Sequence, residues 1–262
     1  MRFEPRVRQW YESYDEDARL WKPGLGDLLR LRTWDIFDRL LPPAGVVADV
    51  GGGPGAHAAR LAETGHDVLL IDPMPHHAAA ARSRGVPAVI GEARALPLPP
   101  AAVDVVLLMG PLYHLVEPAD RVAALVEARR VLRPGGLLLA EIITRQAWVM
   151  DATLRGLLHE DEVWAEFDRI DRTGRAQDPA RPRPSGFWAY FHRLPELAGE
   201  LAAAGFTGID LLAVEGFAHL LPDLPGRTRD PEPLLRAVRR TEREPSMLGA
   251  SPHALGLARR PA

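Results

Sequence analysis

The stretch Ala48-Asp49-Val50-Gly51-Gly52-Gly53-Pro54-Gly55 decides how the rest of the chain is read. Gly45–Val50 is a short apolar run that predicts a strand, and five turn-type residues follow it. A glycine-rich turn after a first strand lets backbone approach a ligand closely and aims the N-terminus of the next helix at it. His57–Glu63 reads as that helix, with Gly65 at its end. Downstream, strands are expected at Asp67–Ile71, Pro87–Ile90, Val103–Met109 and Leu137–Ile143, with helices Ala78–Arg84 and Arg121–Leu132 between them. The fourth of these strands is nearly continuous in apolar residues, as suits a strand buried on both faces of a parallel sheet. Strand and helix alternating at this spacing imply an α/β, doubly wound, mostly parallel sheet, whose ligands bind beyond the carboxyl ends of the strands.

Outward from this core, residues 1–44 are expected to form an N-terminal helical cap. Val7, Trp10, Tyr11 and Tyr14 recur at helical spacing, and Leu28 to Leu40 form a second amphipathic run beyond Pro23-Gly24. Residues 45–144 form the first half of the sheet. Residues 145–193 break the alternation and read as a helical insertion after strand five: a helix over Met150–Ile170, then an Arg-, Pro- and Gly-rich stretch, Arg172–Gly186. This insertion is a candidate lid. Residues 194–262 supply a helix at Leu194–Ala204, strands at Ile209–Val214 and Ala254–Arg259, and a helix at Glu232–Glu244. The sum is one domain with a seven-stranded sheet.

Composition narrows the chemistry. The 262 residues carry 32 Lys+Arg and 35 Asp+Glu, a net charge of −3, which gives no global reason to expect nucleic acid or an anionic membrane as partner. With no cysteine there is no thiol nucleophile, disulfide or thiolate metal site. Lys22 is the only lysine and lies outside any G-x-x-x-x-G-K-[ST] pattern, so a Walker-type phosphate loop is excluded. His76-His77 lacks metal-site spacing, and no metal is expected. No run approaches 18 uninterrupted apolar residues, and the N-terminus carries acids early, so neither a membrane span nor a secretory signal is expected and the cytoplasm is the expected location.

The glycine loop alone leaves its ligand open. Gly51, Gly53 and Ala56 also satisfy the relaxed G-x-G-x-x-G/A pattern of dinucleotide sites. Asp72 closes the second strand 19 residues beyond Gly53, where a carboxylate can accept both ribose hydroxyls. Asp49 bears on the choice. A carboxylate inside an apolar strand is costly unless paired, and it would repel a pyrophosphate but suit a nucleoside bearing an amino acid.

Several segments together carry a resemblance. VVADVGGGPGAHAARLA (residues 46–62) resembles motif I of class I S-adenosylmethionine-dependent methyltransferases, and VLLIDPMP (68–75) their second-strand motif. GEARALPLPPAAVDVVLLMG (91–110) and RRVLRPGGLLLAE (129–141) resemble the third to fifth strands of the ubiquinone/menaquinone-methyltransferase-like subgroup. The resemblance implies S-adenosylmethionine as cofactor. It implies Gly51, Gly52, Gly53 and Gly55 beside the methionine part, Asp49 at the cofactor, orienting the glycine loop or meeting the ligand's ammonium group, and Asp72 on the ribose, with Pro73 and Met74 near the adenine. Glu92, where the subgroup usually has Asp, and Ala93 would read the adenine, and Met109 and Gly110 would lie beside the sulfonium. Tyr11, Arg19 and Arg32 of the cap are further candidates, an arginine there being suited to the cofactor carboxylate.

Beyond strand four stands Gly110-Pro111-Leu112-Tyr113-His114. It lacks the Asp/Asn-Pro-Pro-Tyr/Phe pattern of enzymes that methylate amide or base amino nitrogens. His114 is the candidate general base and Tyr113 its neighbour in the site. The expected activity is methyl transfer to a small-molecule O, N or C acceptor. The alternatives are a nicotinamide-dependent oxidoreductase and a cofactor-binding regulatory protein without transfer activity. The oligomeric state carries no signature in the sequence.

Overall fold

The computed structural model describes residues 4–177 and 187–262; the last part of the Arg- and Pro-rich stretch lies outside the described residues. Three helices open the chain: α1 (Pro5–Ser13), α2 (Glu16–Leu20) and α3 (Leu25–Leu40). Asp15 caps α2 by accepting from the Ala18 N–H at 2.9 Å. The α/β core follows as β1 (Val46–Val50), α4 (Ala56–Glu63), β2 (Asp67–Asp72), α5 (Pro75–Ser83), β3 (Ala88–Ile90) and β4 (Val103–Leu108). It continues through α6 (Pro111–His114), α7 (Pro118–Val131) and β5 (Leu132–Thr144).

These strands are parallel in the order β3-β2-β1-β4-β5. Their side chains alternate between two cores, as the two-residue period requires. Ala48, Val50, Val106, Leu108, Leu138 and Ala140 pack with Ala124, Leu125 and Ala128 of α7. Val47, Leu70, Val105, Leu107, Leu137 and Leu139 pack with Ile36 and Phe37 of α3, Leu61 of α4 and Ala78 of α5. Both faces are therefore dry, which explains why these strands lack a polar face.

The insertion holds α8 (Ala147–Leu154), α9 (Asp161–Thr173), β6 (Arg175–Gln177) and β7 (Trp188–His192). The single helix expected over Met150–Ile170 is corrected to two, because Gly156 takes a φ of +69° just after α8. An unexpected hairpin joins the sheet: β7 runs parallel to the end of β5 through Ile143 and Thr144, and β6 pairs antiparallel with β7. The closing elements are α10 (Leu194–Ala203), β8 (Thr207–Ala213), α11 (Leu224–Arg227), α12 (Glu232–Thr241), α13 (Pro245–Leu248) and β9 (His253–Arg259). β9 inserts antiparallel between β5 and β8. Among the described residues the sheet thus has nine strands, the seven expected and the hairpin.

Candidate functional site

The carboxyl ends of β1, β2, β3 and β4 open into one cleft of about 290 Å³, roofed by α1–α3. Gly51, Gly52, Gly53, Asp72, Pro73, Met74, Glu92, Ala93, Met109 and Gly110 all line it, together with Tyr11, Arg19, Tyr113 and His114. Gly53 takes φ +57°, and its N–H donates to Asp72 Oδ2 at 2.9 Å. Met74 N–H donates to Asp72 Oδ1 at 2.8 Å, and His77 Nδ1 lies 3.2 Å from the same oxygen. The glycine loop and the end of β2 thus fix one carboxylate, whose Oδ2 keeps a lone pair for a ligand hydroxyl.

Asp49 is fully buried and is absent from the cleft lining. Neither of its oxygens has a hydrogen-bond partner among the described residues. It sits behind Gly52, where a Cβ would stand 2.3 Å from Asp49 Oδ2, so only glycine fits over it. Burial, with Asp72 adding repulsion, pushes its carboxyl up to about 7.

Glu92 lines the cleft with both oxygens held by Arg94, one of them at 2.7 Å from Nη2. Arg94 in turn pairs with Asp120. Gly55 lies at the start of α4 with φ +87°, packed against Ala81 rather than facing the cleft.

Asp49, buried beneath Gly52, and Gly55, turned against Ala81, are therefore corrected as cofactor contacts, and two further expectations are corrected as well. Arg32 does not reach the cleft: it is 0% exposed, with Nε donating to the Val214 carbonyl at 2.8 Å and its guanidinium paired with Asp35 and Glu242. Two acids and a carbonyl on neighbouring segments draw it into the core. Arg19 is the cap arginine in the cleft, where Nε donates to Glu16 Oε1 at 2.9 Å. His114 is not free to take a proton. Its Nδ1 lies 3.1 Å from the Trp188 carbonyl, so that nitrogen carries the hydrogen, and Nε2 accepts from the Tyr11 hydroxyl at 2.8 Å. Burial depresses the imidazole to about 4, leaving a neutral strut between cap, cleft and hairpin.

A second cavity of about 590 Å³ adjoins the first, and Tyr11, Glu16, Arg19, Leu29, Tyr113 and Glu141 line both. Burial raises the Tyr113 phenol well above its ordinary value, so it stays a donor. Glu141 went unnoticed in the sequence although it stands in β5 as Asp49 stands in β1, a lone acid in an apolar run. Trp188, one of the insertion's aromatic residues, also lines the cleft, as does Glu16, which had no sequence signal of its own.

A loop of glycines, an acid at the end of the second strand and a cleft at the carboxyl edge of a 3-2-1-4-5 sheet define a nucleoside-binding α/β domain. Residues 48–140 match the family model described as "Methyltransferase domain". An uncharacterized methyltransferase of Mycobacterium tuberculosis is 41% identical over 108 residues, 40% of this chain and 42% of that protein. A ubiquinone/menaquinone biosynthesis C-methyltransferase of Rubrivivax gelatinosus is 35% identical over 155 residues, 55% of this chain and 59% of that one. The matched region therefore spans about half the length of these relatives. A Thermotoga maritima structure described as a SAM-dependent methyltransferase, possible histamine N-methyltransferase, shares the fold, with TM-score 0.62 and 19% identity over 97% of this chain and 99% of that one. Residues 48–140 thus match a methyltransferase domain, set in a fold that solved S-adenosylmethionine-dependent methyltransferases share.

Proposed function

We propose that the protein transfers a methyl group from S-adenosylmethionine to a small-molecule acceptor. The observation that carries this reading is the Asp72 carboxylate, fixed by the Gly53 and Met74 N–H groups at the edge of a glycine-lined cleft. The residues present fit the cofactor. Asp72 would take the ribose, Met74 and Ala93 would flank the adenine with Glu92 as acceptor for its amino group, and Gly51–Gly53 would admit the methionine backbone. Arg19 would face the carboxylate end. When bound, the cofactor supplies a methyl group on a positively charged sulfur, and the carbon–sulfur electron pair stays on sulfur as the new bond to the acceptor forms.

The chain's own part is to align the acceptor and exclude water. The second cavity, opening onto the first at Tyr113 and Glu141, is the place for the acceptor. Helix α8 and β7 of the insertion wall it and would act as its lid. Calorimetric titration with S-adenosylmethionine, S-adenosylhomocysteine and NADH tests the reading. Micromolar binding of the first two without the third is expected; binding of NADH alone would replace it with a dinucleotide enzyme.

A further inference from the structure

Glu141 is 5% exposed, lines both cavities and has no hydrogen-bond or ion-pair partner among the described residues. The charged groups facing it are already matched to one another. Arg19 is bound to Glu16, and His253 Nδ1 lies 2.5 Å from Glu215 Oε1. Those two pairs cancel and leave Glu141 as the acid without a counterion. Tyr113, its other polar neighbour, is neutral.

The remainder of the second cavity repeats the preference for a donor. His219 is 1% exposed, and its Nδ1 is committed to the Gly216 carbonyl at 2.9 Å. Its Nε2 therefore presents a lone pair, and that atom has no partner among the described residues. At the rim Asp15 stands with Lys22, and Asp151 is matched by Arg155 at 3.1 Å, so the rim adds no net charge of its own. The walls are flat and aromatic: Trp10 stacks on Tyr14 at 5.1 Å, and Trp148 and Phe187 stand alongside. Aromatic faces and an unmatched carboxylate favour a cation, which both attract.

We infer that the second cavity takes a protonated amine carried on a flat apolar group, with Glu141 as the counterion of its nitrogen. The inference rests on the methyltransferase reading of the adjoining cleft. An ammonium has no lone pair, so one N–H proton passes to a Glu141 carboxylate oxygen and the N–H electron pair stays on nitrogen. The methylated amine leaves carrying a positive charge, and the proton on Glu141 passes to solvent. Burial pushes the Glu141 carboxyl up to about 7, against the attraction of His253, which places it where it can hold and return that proton.

The test is calorimetric titration of the full chain saturated with S-adenosylhomocysteine, using 2-phenylethylamine, 2-phenylethanol and 3-phenylpropionate as probes. The amine is expected to bind at least tenfold more tightly than the other two. Near pH 7 its binding should release a fraction of a proton, read from heats in buffers of different ionisation enthalpy. Glu141→Gln should keep the fold, by thermal melt, and the affinity for S-adenosylhomocysteine, while weakening the amine about tenfold and abolishing the proton release. Equal binding of the three probes would overturn the inference and leave the methyltransferase reading standing. So would a Glu141→Gln variant that loses affinity for S-adenosylmethionine relative to S-adenosylhomocysteine but binds the amine unchanged, because Glu141 would then be the counterion of the sulfonium. Failure of S-adenosylhomocysteine to bind at all would instead remove the underlying reading, and the amine inference with it.

Discussion

Two buried regions of this molecule are built from the same residue types and do opposite things. In the first, Arg32, Asp35 and Glu242 are joined by Arg39, whose Nη1 and Nη2 each lie 2.8 Å from a Glu242 oxygen, and by Arg239, whose Nε is 2.7 Å from Asp35 Oδ1. Every acid there has an arginine, and the group ties α3 to the end of β8 and to the turn after α12. In the second, around the two cavities, Asp49 and Glu141 are as deeply buried and have no hydrogen-bond or ion-pair partner among the described residues. The difference teaches that burial of a charge does not announce its use; the matching of its partners does. A satisfied group holds the fold, and an unsatisfied one beside a cavity awaits something.

The largest effect should come from breaking the satisfied region. Arg32→Ala leaves Asp35 and Glu242 with reduced compensation in the core, and should cost about 3–5 kcal/mol in denaturant unfolding. A variant that unfolds like the parent would dissolve the contrast. Next, Asp72→Ala should weaken S-adenosylmethionine by about 2–3 kcal/mol through the lost ribose contacts, with a smaller effect on folding. Unchanged affinity in the folded variant would remove Asp72 from the ribose.

The smallest effect, taken per unit of pH, sharpens the comparison from the other side. Asp49 in the folded chain is raised to about 7, above its ordinary value near 4, so the folded state holds a proton that the unfolded state has lost. Its contribution is therefore fullest below about pH 4 and declines as pH rises towards 7, by the order of 1 kcal/mol per unit. Asp49→Asn should flatten that decline and melt higher than the parent at pH 7.5, which melting curves across pH 4–8 would show. An Asn variant with the parent's slope would mean that Asp49 ionises at no cost.

Much of the fold was legible because the β/α alternation is written in apolar runs cut by glycine and proline. β1, β2, β4 and α4 stand within a residue or so of where their patterns place them. The hairpin was not legible. β6 has three residues, and Trp188–His192 pairs with β5 only at Ile143 and Thr144, so its evidence lies in a distant partner. Of the site, the glycine loop and Asp72 could be read because backbone geometry limits what stands there. Arg32 could not, because an arginine that faces a ligand and one that faces Glu242 look alike until residues 210 apart are brought together. Glu141 could have been found by the rule applied to Asp49, that a single acid inside an apolar strand needs a reason.

Tyr11, Arg19, Tyr113 and Glu141 belong to the walls of both cavities at once. Occupants of the two spaces therefore share a boundary whose charge and hydrogen bonds each of them sets in part. By thermodynamic linkage, whatever factor one occupant imposes on the affinity of the other is returned in equal measure. On the proposed function, loading, transfer and release would be coupled by this common wall, with no moving part required.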